Sequence, residues 1–213
     1  MNSRHRMPYL VGLLVVIMLT LGWVGSSSVD KVADLTEELY DHPLVVSTAV
    51  LRIYSNVFVM ERAIKDIILS ESQEASYQYR GIINRTEDAI LVEFGLVEDR
   101  YMGDIEAVRI ARRSFLAWKP IRDEVIRLAM EGKRSEAAFI SQTRGVRQTE
   151  EIEAKIQVLR DFARSKSVEF LAAAKETRSK TIRFVWLSLA CALILAGFVG
   201  PQGGPSRSGP AGA

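Results

Sequence analysis

The sequence has little of the chemistry from which catalytic and metal sites are built. Its 213 residues include one cysteine, Cys191, and two histidines, His5 and His42. Cys191 cannot form a disulfide within the chain, and in its apolar run it behaves as a small hydrophobe. No Cys-x-x-Cys-His, Glu-x-x-His, glycine-rich phosphate loop or nucleophile elbow is found. We therefore expect no metal, no cofactor and no enzyme; haem on His42 and Met60 is the weakest alternative, because methionine normally fills cores.

The sequence also lacks a large excess of positive or of negative charge. Lysine and arginine number 28 against 26 aspartate and glutamate residues, which leaves a net charge of +2. A nucleic-acid-binding domain would show a basic stripe, so we expect no nucleic-acid partner. The hydrophobic share is 48% and concentrates near both ends of the chain. That uneven placement predicts an integral membrane protein, whose apolar segments have membrane lipid as their partner.

The first apolar run follows a short basic N-terminus, residues 1–7, which we place in the cytoplasm. Residues 8–29 contain no charge and reach the roughly 20 residues that a bilayer core requires, so they are predicted as transmembrane helix 1. Trp23 suits the outer interface. A cleavable signal peptide is the alternative, with small residues at Ser26–Ser28, but the run is longer than an ordinary signal core.

The second apolar run, residues 183–200, is shorter and is predicted as transmembrane helix 2. More basic residues precede it than follow it, which taken alone would place its start in the cytoplasm. The first span usually sets the orientation, so we keep both termini in the cytoplasm of a bacterial inner membrane and the intervening region in the periplasm. A buried core helix is the alternative. Residues 201–213 form a Pro/Gly-rich tail that we expect to be disordered.

Residues 30–182 are predicted to be helical almost throughout, because they hold only two prolines and no strict apolar alternation. Breaks at Ser70–Ser76, Gly103 and Gly132 divide them into four helices. Each helix carries an apolar stripe at intervals of three and four residues, the pattern of a bundle seam. The first stripe comprises Val32, Leu35, Leu39, His42, Val46, Val50, Ile53, Val57, Met60, Ile64 and Ile67. The second comprises Tyr79, Ile83, Thr86, Ile90, Phe94, Val97 and Tyr101, and the third comprises Ile105, Val108, Phe115, Trp118, Val125 and Leu128. The fourth comprises Ile152, Ile156, Leu159, Ala163, Phe170 and Ala173. The fold class is therefore all-α, an up-down-up-down four-helix bundle.

Four stretches of sequence carry a family resemblance: Leu39–Ser55 with its His-Pro pair, Arg100–Asp104, Phe115–Phe139 and Leu159–Ala174. Together they resemble the four-helix-bundle sensory domain of methyl-accepting chemotaxis receptors. Related bundles also precede diguanylate cyclases and histidine kinases. The resemblance implies a homodimeric transmembrane sensor that responds to a small-molecule ligand or to a periplasmic binding protein.

The sequence departs from that family after its second apolar run. Family members usually continue into a linker or an output domain, whereas here a short Pro/Gly-rich tail follows. We expect a truncated or frameshifted receptor, and a natural stand-alone subunit is the alternative. A structural or regulatory membrane subunit that pairs with full-length receptors is the competing function.

Candidate ligand-binding residues are Arg52, Arg62 and Arg80, which could contact a carboxylate ligand at a dimer interface. Trp118 with Arg122 could form a platform and an anion anchor in a ligand pocket. The competing interpretation makes the arginines ordinary solvated charges, Trp118 a core residue and Arg122 a member of surface ion pairs.

Three further residues are predicted to kink or hinge helices. His42 and Pro43 lie within the first helix of the bundle, and Pro120 lies within the third. Proline removes a backbone donor and clashes with the preceding turn, so a kink is expected at both places. Each kink could be a signalling hinge or a purely local distortion.

Overall fold

The computed structural model describes residues 6–199, and within that range every regular element is a helix. In chain order these are α1 Arg6–Leu39, a π-helical turn Tyr40–Leu44, α2 Val45–Leu69, α3 Gln73–Arg100, α4 Ile105–Ala117, α5 Lys119–Met130, α6 Arg134–Ile140, a second π-helical turn Ser141–Gly145, and α7 Val146–Val199. Elements without an intervening loop form four rods: α1 with α2, then α3, then α4 with α5, then α6 with α7. The all-α four-helix prediction is confirmed.

The chain divides into two compact units. The bundle unit comprises Thr36–Leu171, and the described part of the second unit comprises residues 6–35 and 172–199. The predicted bundle domain, residues 30–182, therefore overlaps both units. Residues 1–5 of the predicted cytoplasmic terminus, Gly200 of the second predicted span, and the predicted tail 201–213 lie outside the described residues.

All four rods of the bundle unit contribute to one apolar core. Most side chains named above for the four stripes are buried, from Val46 in α2 to Ala163 in α7. Those near the ends of the stripes are only half-buried: Val32, Leu35, Leu39, His42, Tyr79, Tyr101, Ile105, Phe170 and Ala173. The predicted loops also form where expected, and polar residues cap the helices that follow them. Ser72 accepts a hydrogen bond from the amide of Ala75 (3.3 Å), and Asp104 accepts one from Glu106 (3.0 Å).

The third predicted helix is interrupted next to Pro120, where a kink is predicted. Pro120 has no amide hydrogen, and its ring would clash with the carbonyl of Leu116 one turn earlier. The helix therefore ends at Ala117, and α5 starts at Lys119, with Trp118 between them. A proline near the start of a helix costs no hydrogen bond, so the break leaves α5 regular.

The first and fourth rods each contain a π-helical turn that the sequence did not predict. The turn Tyr40–Leu44 holds Pro43, which is buried, and His42, which is half-buried. The Nδ1 of His42 lies 3.3 Å from the carbonyl of Arg100. The fourth predicted helix, after the break at Gly132, contains the second π-helical turn at Ser141–Gly145.

In the second unit, a pair of hydroxyl groups connects the two helices. Thr181 Oγ1 donates to Ser28 Oγ at 2.7 Å. Large apolar side chains are exposed on both helices, among them Trp23 on α1 and Trp186 on α7. By length and hydropathy, one described helix, within Val15–Leu69, could cross a membrane, a test that a core helix or a signal sequence also passes.

Candidate functional site

The break at Trp118 shapes a cleft in the bundle unit. Helix α4 packs closely against α3, whereas α5 packs against α2 and α6 and hardly approaches α3. A cleft of about 680 Å³ opens between α3 and α5. Its walls carry three cations and three acids. These are Arg80, Lys119, Arg127, Glu87, Asp123 and Glu131.

Behind the cleft lies an arginine in the middle of the core. Arg122 is 2% exposed. Its guanidinium stacks between two rings, 5.3 Å from the centroid of Phe115 and 4.9 Å from that of Trp118. Burial lowers the pKa of Arg122, and the neighbouring acids oppose that shift. Because arginine stays protonated in proteins, the core contains a permanent positive charge.

Glu87 connects this buried charge to the cleft. Its Oε1 lies 3.4 Å from Arg122 Nη2, and its Oε2 accepts a hydrogen bond from Lys119 at 3.1 Å. The contact with Arg122 has the distance of an ion pair but not the geometry of a hydrogen bond, and Arg122 Nε and Nη2 have no hydrogen-bond partner. One carboxylate of α3 therefore carries both polar links to α5 at this level of the bundle.

The cations in the cleft differ in whether an acid already neutralises them. Lys119 pairs with Glu87 and lies 3.9 Å from Asp123, while Arg127 pairs with Glu131 at 2.6 Å. Hydrogen bonds from Arg127 and then from Lys133 lower the pKa of Glu131. Arg80 makes no ion pair within 4 Å among the described residues.

The structure brings together three of the five predicted ligand-binding residues. Arg80 lines the cleft, and Trp118 and Arg122 lie behind it, joined to it through Glu87. The expectation that Arg122 takes part in surface ion pairs is wrong, because its side chain is buried. Trp118, at 2% exposure, lies in the core.

Arg52 and Arg62 do not join this group. Arg52 pairs with Glu93 across α2 and α3 at 3.1 Å, and Arg62 lies exposed, 4.0 Å from Asp66 on its own helix. Both have the solvated positions expected of charges on the outside of a bundle.

Sequence reasoning missed Glu87, Lys119 and Asp123, although their spacing contained the information. Lys119 and Asp123 are four residues apart and therefore lie on one face of α5. The position of Arg122 was also readable, because it continues the stripe of Phe115 and Trp118 at an interval of four. The surface position was predicted from the charge of Arg122, whereas its spacing from Trp118 indicates a position in the core.

Away from the cleft, a further polar contact connects the first and fourth rods of the bundle unit. Thr149 Oγ1 on α7 donates to Glu61 Oε1 on α2 at 2.8 Å. Close by, burial raises the pKa of Glu153, with smaller contributions from the negative charges of Glu61 and Glu150. Within residues 6–199, His, Cys, Asp and Glu side chains form no group of three that could hold a metal ion.

The described residues thus form a helical bundle with a polar cleft. Comparison with known families shows the family to which the chain belongs. The model of the family described as a four-helix-bundle sensory module for signal transduction matches residues 1–177. The chain belongs to this family. No curated protein and no solved structure matches the chain. The predicted resemblance is thereby confirmed, and so is the general role of a sensor domain in signal transduction.

Proposed function

We propose that this sensory module is a chemoreceptor-type sensor of the bacterial inner membrane that passes a periplasmic signal through helix movements. Residues 8–29 and 183–200 cross the bilayer in this proposal, both chain ends lie in the cytoplasm, and the bundle lies in the periplasm. The observation that carries the sensory role is the family match over residues 1–177. The module acts on an output domain that it is coupled to, for chemotaxis or for a related response.

The surface of the second unit supports the membrane part of the proposal. Soluble proteins rarely expose contiguous apolar patches of more than a few hundred Å². Here, Met18, Leu19 and Trp23 on α1 and Trp186 and Leu187 on α7 are all more than 65% exposed. A bilayer would cover such side chains without cost, because its interior is as apolar as they are.

A homodimer is the assembly that we propose, and the outer face of α2 supports it. Leu44, the last residue of the π-helical turn before α2, and Leu51 and Phe58 on α2 are exposed at intervals of seven residues, the repeat of a coiled-coil seam. A second copy would bury this stripe against its own. The same stripe equally supports the alternative function, in which the chain pairs with a full-length receptor as a regulatory subunit. A periplasmic binding protein is a further candidate partner.

Cysteine labelling in whole cells tests the proposed topology. With Cys191 changed to serine, single cysteines are introduced by E136C, on the exposed start of α6, and by S3C, near the N-terminus. A membrane-impermeant maleimide is expected to label E136C in intact cells with a permeabilised outer membrane, and S3C only after lysis. Labelling of S3C in intact cells, or protection of E136C, would contradict the topology.

A further inference from the structure

The α3–α5 cleft has the size of a small-molecule site. Ligand pockets usually measure roughly 300–1,000 Å³, and this cleft measures about 680 Å³. It combines apolar and polar walls, because Ile83 on α3 faces the same space as Ile126 and Met130 on α5. Sites of this kind use apolar walls for affinity and a few polar groups for orientation.

The ion pairs within the cleft indicate the charge of a ligand that could bind there, because they show which cation is still free of an acid. Lys119 and Arg127 are neutralised by acids of the cleft itself, at 3.1 Å and 2.6 Å. Arg80 lies on the α3 wall and is exposed, with no acid within ion-pair distance among the described residues. A guanidinium presents two parallel donors that match the two oxygens of a carboxylate.

The acids of the cleft set an upper limit on the negative charge of that ligand. Glu87, Asp123 and Glu131 all line the same space. A dianion would place its second charge among them, where like charges repel. A single carboxylate on Arg80 leaves the apolar part of the ligand to cover Ile126 and Met130.

The buried arginine gives this cleft a connection to the core. Glu87 is shared between Lys119 in the cleft and Arg122 behind it, and Arg122 keeps two nitrogens without a hydrogen bond at 2% exposure. A ligand carboxylate that also accepts from Lys119 would release Glu87 to bond Arg122 fully. Binding would then draw α3 and α5 together at Glu87, which contacts both Lys119 and Arg122 on α5.

We propose that the α3–α5 cleft binds small monocarboxylates with an apolar body, with Arg80 as the group that recognises the carboxylate. The proposal rests on the proposed sensory function for its biological role, but binding itself can be measured without any output. Arg80 is a binding residue here, and Arg122 and Glu87 are positioning residues that link the cleft to the core.

Isothermal titration of the full chain in nanodiscs tests the site, with benzoate and hexanoate as probes. Saturable binding with a dissociation constant of about 1 mM or tighter is expected for at least one of them. R80Q is expected to weaken binding about 10- to 100-fold, because a charge-assisted bond is lost. R85Q, an exposed arginine of the same helix outside the cleft, should change binding less than about twofold and serves as the matched control.

Uncharged and doubly charged analogues test the ligand class. Benzamide and phthalate should each bind about tenfold or more weakly than benzoate. Absence of saturation by both monocarboxylates, equal binding by R80Q, or equal binding of phthalate would overturn the proposal. If carboxylates bind through Arg80 but a fused output domain never responds to them, the sensory function is contradicted and the site stands. A response without Arg80-dependent binding overturns the site alone.

Discussion

Among the single residues, Arg122 is unusual because a charged side chain occupies a core position where apolar side chains usually pack. Transferring an arginine out of water costs several kcal/mol, which its attraction to a carboxylate and its contacts with aromatic rings offset in part. Arg122 has both kinds of partner, since it stacks between Phe115 and Trp118 and faces Glu87. Removing one partner therefore costs more than removing the pair.

Replacing Glu87 with glutamine is expected to destabilise the fold by about 3 kcal/mol, because Arg122 would lose its counter-charge inside the core. The double variant E87Q/R122M should recover part of that loss, since methionine fills similar volume without a charge. Urea unfolding followed by circular dichroism measures both. E124Q, from an exposed pair with Arg144, should cost less than about 1 kcal/mol. A loss for E87Q as small as that for E124Q would contradict the description of Arg122.

The pH dependence of stability follows from Glu153. Burial, and to a smaller extent the nearby carboxylates of Glu61 and Glu150, raise its pKa above that of an ordinary glutamate. The folded state therefore binds the proton more tightly than the unfolded state, so this group's stabilising contribution is full below about pH 4.5 and is lost as pH rises through the folded pKa.

Glu153→Gln is accordingly expected to raise the melting temperature at pH 7 and to leave it nearly unchanged at pH 4. Thermal unfolding of both proteins across this range measures the difference. Glu151→Gln, exposed on the same helix, should show no such pH-dependent gain. A gain for Glu153→Gln that is as large at pH 4 as at pH 7 would show that the raised pKa is not its cause.

At the scale of elements, regular helices could be predicted from the sequence and their interruptions only in part. The apolar spacing predicted the stripes, because the side chains that face the core of a helical bundle recur at intervals of three and four residues. Pro120 indicated a distortion, but whether a proline bends a helix or ends it depends on what the following turn packs against. The π-helical turn at Ser141–Gly145 contains no proline, and no feature of the apolar spacing indicated it. The cleft could not be predicted, because it depends on how α4 and α5 pack against their neighbours, which the spacing within one helix does not show.

Two glycines in different settings test the packing of the elements. An added Cβ at Gly103 would lie 2.8 Å from both Phe162 Cζ and Tyr101 Cε1, closer than real contacts allow. At Gly95, in the interior of α3, nothing lies within 4 Å. Gly103→Ala should therefore cost about 1–3 kcal/mol, and Gly95→Ala should gain about 0.5–1 kcal/mol through its better helix propensity. Urea unfolding compares the two, and a gain at Gly103 would contradict the close packing of this loop.

At the scale of the whole molecule, the proposal needs the two helices of the second unit to be neighbours. Ser28 and Thr181 place their hydroxyl oxygens 2.7 Å apart, which is close enough for cysteines at both positions to form a disulfide. With Cys191 replaced by serine, the S28C/T181C protein is expected to cross-link within one chain on mild oxidation. Protease cleavage between the two positions followed by non-reducing electrophoresis detects the link. The S28C/S179C protein, with its second cysteine two residues earlier on α7, should cross-link far less.

The central claim is that the bundle senses a periplasmic signal and passes it through these two helices. The most direct measurement fuses a well-characterised output domain after residue 200 of the S28C/T181C protein and records output in membranes as candidate ligands are added. We expect ligand-dependent output in the reduced protein, loss of the response when the two helices are cross-linked, and its return on reduction. Output that ignores every ligand, or that responds equally with the helices locked, would contradict it.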